Sequence, residues 1–159
     1  MKIIFLDIDG VLNSQHTDYG GERVRLDSAA IAHLNTVAQQ TGARVVLTSD
    51  WRRFYGLPRC VELLSAAGLC AEIIDATPNL ERRTLLEEDD FDVTEYFERL
   101  RRSEIEAWMA AHDVRRFVVL DDLAVFQREH PNIVIVNPDT GLTADDAARA
   151  MAILGIDQA

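Results

Sequence analysis

Lysine is nearly absent from this chain of 159 residues: Lys2 is the one example, and arginine supplies the rest of the 16 basic residues. A catalytic cation would therefore be an arginine, a planar fork that stays charged at any working pH. Cysteine is scarce too. Cys60 and Cys70 have neither zinc-like spacing nor a histidine close by, so they read as reduced thiols and no disulfide framework is expected. His16, His33, His112 and His130 show no ligand spacing, which leaves oxygen as the donor for any metal. Long apolar runs are missing. Ile3-Ile4-Phe5-Leu6 is cut off by Asp7 and Asp9, far short of a signal-peptide core or a ~20-residue membrane span. The expected location is the cytoplasm, with no membrane partner. With 27 acidic residues and a net charge of -11, the chain repels phosphate backbones, which argues against unaided, non-specific nucleic-acid binding. Local arginine clusters remain able to bind a phosphate.

At 48% hydrophobic and 27% charged, the composition is that of a globular protein, and the length suits a single domain over 1–159. Residues 2–8 read as a buried strand ending in acid, followed by a loop from Asn13 to Arg25. Asp27 caps a helix with apolar positions at Ile31, Leu34 and Val37; Leu26 and Ile31 form a hydrophobic staple and Gly42 ends it. Arg44 to Thr48 is a second strand, Pro58 opens a helix running to Gly68, and Ala71 to Ile74 is a third strand. Residues 76–92, with the acidic run Glu87-Glu88-Asp89-Asp90, read as a solvated loop. Ser103 and Glu106 spell a capping box for a helix to about His112, and Phe117 to Leu120 is the fourth strand. A short helix through Phe126, a strand over Ile133 to Val136 and a closing helix capped by Thr143 complete the order. Alternating helices and nearly unbroken apolar strands predict a doubly wound, parallel α/β sheet of three layers.

In such sheets ligands bind at the carboxyl ends of the strands, and the reactive residues gather there. Asp7 and Asp9 follow the first strand, Thr48 and Ser49 the second, and Asp121 and Asp122 the fourth. Aspartate is depleted in strands, and several carboxylates converging on one place repel unless a cation sits between them. An all-oxygen set beside phosphate chemistry selects Mg²⁺.

These residues carry a resemblance. Phe5-Leu6-Asp7-Ile8-Asp9-Gly10-Val11-Leu12 resembles the first motif of the haloacid dehalogenase (HAD) superfamily. Thr48-Ser49 resembles the second, an arginine among Arg99, Arg101 and Arg102 stands where the third has Lys or Arg, and Asp121-Asp122 resembles the fourth. The likeness spans residues 2 to about 145. The string Leu47-Thr48-Ser49-Asp50-Trp51-Arg52, with Glu104-Ile105 and Trp108, is similar to the small HAD domains associated with RNA-repair (Swiss Army Knife) proteins. The resemblance implies a Mg²⁺-dependent phosphatase working through an aspartyl-phosphate, with Asp7 as nucleophile and Asp9 as general acid and then base. It also implies that Thr48 or Ser49 binds a phosphoryl oxygen and that an arginine, with Arg102 favoured, offsets the transition-state charge. One of Asp121 and Asp122 would bind Mg²⁺ directly, beside the Asp7 carboxylate and the Asp9 backbone carbonyl. Gly10 would let the chain turn and bring backbone N–H groups to the phosphate.

Trp51 and Arg52 have two readings, packing or a grip on substrate. Neither 10–47 nor 50–101 holds a large cap, so the site should be open and admit a nucleic-acid end, a nucleotide or another phosphorylated macromolecule, with RNA-repair proteins as partners. The alternative is a non-catalytic phosphate- or partner-binding module that keeps the fold. A phosphomutase would need a cap, and a receiver domain would place its aspartate on a middle strand.

Overall fold

The computed structural model describes residues 1–17, 25–80 and 92–157. Five parallel strands form one sheet: β1 (Lys2–Leu6), β2 (Arg44–Leu47), β3 (Ile73–Ala76), β4 (Arg116–Asp121) and β5 (Ile133–Ile135), in the order β3-β2-β1-β4-β5. The helices are α1 (Ser28–Thr41), α2 (Trp51–Phe54), α3 (Leu57–Ala66), α4 (Val93–Ala110) and α5 (Ala144–Leu154). Side chains alternate across the sheet, so each strand serves two cores. Ile4, Leu6, Val45, Leu47, Val118 and Leu120 pack with α1, α3 and α5 on one face. Ile3, Phe5, Val46 and Val119 pack with Ile105 and Trp108 of α4 on the other. The result is the three-layer α/β fold that the alternating pattern predicts, and no helix among the described residues is long and apolar enough to cross a membrane.

Register places the site. Leu6 of β1 pairs with Leu47 of β2 and with Leu120 of β4. The next residue on each strand is therefore Asp7, Thr48 or Asp121, at one level across the middle of the sheet. Backbone bonds carry the alignment one step further, from Asp7 N–H to the Leu120 carbonyl at 3.0 Å and from Thr48 N–H to the Leu6 carbonyl at 2.9 Å.

Helix ends follow local chemistry where the cap is unambiguous. Asp27 accepts from Ala29 N–H, Gly42 takes the left-handed conformation at φ 67°, and Thr143 and Asp146 form a reciprocal capping box. Several expectations need correction. The first strand stops at Leu6, the third lies over 73–76, and the fifth ends at Ile135. The Ser103–Glu106 capping box does not exist: α4 begins ten residues earlier behind Asp92, which accepts from Glu95 N–H, and Ser103 Oγ donates to the Arg99 carbonyl at 2.9 Å. The pattern Ser-x-x-Glu also fits a helix interior, and the helix formers before Ser103 carry the turn upstream. No helix runs through Phe126, where the chain makes bends. The short helix α2 was missed. The acidic run 87–90 and part of the 13–25 loop lie outside the described residues.

Candidate active site

The level defined by the sheet register brings three carboxylates together. Asp7 is 4% exposed and Asp121 0%. Asp7, Asp121 and Asp122 each offer an oxygen within 4.8 Å of the others. Arg101 lies among them, with Nη1 2.8 Å from Asp121 Oδ2, 3.0 Å from Oδ1 and 3.3 Å from Asp7 Oδ2. Burial pushes the Asp7 carboxyl well above the ordinary carboxylate range, and the charges of Asp121 and Asp122 push it further, against the pull of Arg101. Burial likewise raises Asp121 to about 6, opposed by Arg101 and by the Leu123 N–H that donates to it. Burial works against the Arg101 cation, but Asp7 and Asp121 outweigh it and its pKa rises, so it stays charged.

Three acids against one guanidinium leave an excess of negative charge when all are ionised. The donors are oxygens without nitrogen or sulfur, so the residues fit a hard divalent cation such as Mg²⁺. Thr48 adds a second sign of a missing partner. Its Oγ1 is buried with no hydrogen-bond partner among the described residues, a state that costs about 1–3 kcal/mol unless something fills it.

Asp9 lies apart from this cluster and is exposed. Asn13 Nδ2 donates to its Oδ1 at 2.9 Å and Trp51 Nε1 to its Oδ2 at 3.1 Å. It faces a cleft of about 530 Å³, also lined by Gly10, Asp122, Trp51, Tyr55 and Arg25. Trp51 and Tyr55 stand edge to face with centroids 5.5 Å apart, forming an aromatic wall.

Some sequence-predicted residues take other roles. Arg102 is not the cation at the carboxylates; Arg101 is. Neighbours on a helix point ~100° apart, and Arg101 shares a stripe with Ile105 and Trp108, both packed on the sheet. Arg52 does not face the cleft as a substrate grip. It is buried, donates to the Thr48, Ser49, Thr77 and Pro78 carbonyls, and pairs with buried Glu104 of α4. Its fork ties the exits of β2 and β3 to α4 instead. The Gly10 N–H is taken by Asn13 Oδ1 at 2.8 Å rather than pointing to a phosphate site. Gly10 is needed for another reason: at φ 81°, a Cβ there would sit 2.8 Å from Asp122 Oδ2. Ser49 Oγ accepts from Trp51 N–H at 3.2 Å, so of the two hydroxyls Thr48 is the one without a partner among the described residues. The sequence assigned no role to Asn13, and Glu104 entered it only as part of the family resemblance. Glu104, three residues from Arg101, was legible as part of the same helical stripe; Asn13 had no local signal beyond following the first motif.

Residues 3–147 match the family described as the HAD domain in Swiss Army Knife RNA repair proteins. No curated protein and no solved structure matches the chain. The match covers both ends of the acidic cluster, from the strand that delivers Asp7 to the one that delivers Asp121, and the chain belongs to this family of the HAD hydrolase superfamily.

Proposed function

We propose that the protein is a Mg²⁺-dependent phosphatase acting on a phosphate monoester, with Asp7 as nucleophile and Asp9 as general acid and base. The observation that carries this reading is a buried carboxylate, Asp7, beside Arg101 and two further acids at one level of the sheet. An anionic nucleophile can approach an anionic ester only where cations offset the repulsion.

An Asp7 oxygen forms a bond to phosphorus as the ester P–O bond breaks, and Asp9 gives its proton to the leaving oxygen, releasing an alcohol. Water then attacks the phosphorus of the aspartyl-phosphate, Asp9 takes the proton, and the Asp7–phosphorus bond breaks to give inorganic phosphate. Thr48 Oγ1 donates to a phosphoryl oxygen, and Arg101 holds positive charge beside the reacting group. Mg²⁺ would be held by Asp7, Asp121 and Asp122 with the Asp9 backbone carbonyl. When bound it supplies positive charge against the phosphoryl oxygens.

The leaving group occupies the cleft in front of Asp9, since a general acid must touch the oxygen it protonates. The aromatic wall of Trp51 and Tyr55, the Arg25 nearby and the family's description support a nucleic-acid end or nucleotide as substrate, with RNA-repair proteins as partners. A net charge of -11 confines the grip to that end. Two unbridged thiols, Cys60 and Cys70, suit the cytoplasm.

Turnover of an aryl phosphate tests the core of the reading. Activity should require Mg²⁺ and disappear in Asp7→Asn; full activity with a chelator, or in that variant, would refute it. Phosphate binding by the wild type with no turnover of any monoester would favour the non-catalytic module.

A further inference from the structure

We infer that Asn13 and Trp51 are positioning residues that fix the direction in which Asp9 faces the leaving group, an inference that rests on Asp9 being the general acid. An exposed aspartate ordinarily turns about its side-chain bonds on the nanosecond scale or faster. Asp9 is exposed, yet each of its oxygens is held by a separate donor that is itself buried. Asn13 is 6% exposed and Trp51 9%. The two come from different elements, the loop after β1 and helix α2, so the carboxylate is fixed from two sides.

Both donors have their orientation imposed from elsewhere. The second amide hydrogen of Asn13 goes to the Arg25 carbonyl at 3.0 Å, and its oxygen accepts from Gly10 N–H at 2.8 Å. Flipping the amide would set its oxygen against two acceptors and its NH₂ against a donor, so the network permits one orientation. The Trp51 backbone N–H is bonded to Ser49 Oγ, and the ring rests edge-on against Tyr55. Indole has a single polar hydrogen, and here it goes to a carboxylate that water alone would satisfy. The bond satisfies the buried indole N–H, and in doing so it holds the oxygen that a proton transfer needs held. Transfer requires the donor oxygen about 2.6–3.2 Å from its target, and a small misplacement costs rate steeply. With both oxygens held, the remaining lone pairs point in set directions into the cleft.

The test compares kcat/KM for an aryl phosphate, whose leaving group departs without much help from an acid, with that for a simple alkyl phosphate, whose alkoxide needs the proton. Asp9→Asn should lose far more on the alkyl ester. Trp51→Phe keeps an aromatic ring and removes the donor. Asn13→Ala removes the other. Each should lose about 10–100-fold more on the alkyl than on the aryl ester, while thermal melting and Mg²⁺ binding show the fold and cation site intact. Equal losses on both esters, or no loss, would overturn the inference. If Asp9→Asn discriminates and these variants do not, the positioning role alone fails. If Asp9→Asn does not discriminate, the general-acid reading fails and takes this one with it. A readout free of turnover is the Trp51 indole N–H resonance, one of two tryptophan signals. Its solvent-exchange protection should drop in Asp9→Ala; an unchanged signal would remove the contact itself.

Discussion

Metal-free protein should become more stable as the pH falls from about 8 to about 5, the reverse of ordinary acid denaturation. Asp121 is 0% exposed and its pKa is raised from 3.8 to about 6. A carboxyl raised in the folded state holds its proton there more tightly than in the unfolded chain. The stability from that proton is fully present below 3.8 and is lost as the pH rises through about 6. Raising Asp121 from 3.8 to about 6 corresponds in full to about 3 kcal/mol, of which roughly half is regained by pH 5. For a chain of this size that is a rise of about 3–5 °C in Tm. Asp7, raised by its burial and by Asp121, adds in the same direction. Mg²⁺ should act oppositely, because it competes with protons for the same oxygens. At about 100 times its Kd it adds about 2.7 kcal/mol near pH 8 and much less near pH 5. The assay is a set of thermal melts across this range, with a chelator or with saturating Mg²⁺; the two curves should converge at low pH. A chelated protein whose Tm climbs steadily from pH 5 to 8, or an equal Mg²⁺ increment at both ends, would refute the electrostatic account.

Gly10→Ala should cost about 1–2 kcal/mol for the left-handed backbone alone, and because the new Cβ would press on Asp122 at 2.8 Å, Mg²⁺ affinity measured by calorimetry should fall as well. Arg52→Ala strands Glu104, which is 2% exposed, with Arg53 at 2.8 Å as its remaining partner among the described residues; the urea midpoint should report a loss near the lower end of 3–5 kcal/mol. Arg101→Ala should reduce kcat by about 10²–10³-fold, whereas Arg102→Ala, one residue further round the helix, should stay near wild type in the same steady-state assay.

The strands and caps were legible because their causes are local. Asp27, Gly42 and the Thr143–Asp146 pair act on hydrogen bonds within one turn, and the structure uses all three. The start of α4 was not, since Ser103 and Glu106 satisfy a capping pattern that a helix interior also tolerates. Asp92 and the helix formers after it mark the true start by equally local chemistry, which the Ser103 pattern masks. Helix α2 is four residues long, too short to show a period. Its Arg52 and Arg53 pair with Glu104 of a helix some fifty residues downstream, a contact no local pattern announces.

The same divide runs through the site. Asp7, Thr48 and Asp121 could be found from sequence because each ends a strand, and parallel strands in register align their ends without further information. The partners that orient these groups reach across elements. Arg101 rather than Arg102 meets the carboxylates because Ile105 and Trp108 fix the rotation of α4 about its axis. The apolar stripe at i+4 and i+7 is the phase marker in the sequence that turns Arg101 toward the carboxylates. Arg52 defeats that method, for nothing in Asp50-Trp51-Arg52-Arg53 says that its guanidinium turns inward to the carbonyls at two strand ends. Those carbonyls have lost their sheet partners where β2 and β3 stop, and a buried acceptor must find a donor. A long arginine beside two terminating strands is therefore as well explained by the backbone's unmet hydrogen bonds as by a ligand's, and its burial decides for the backbone.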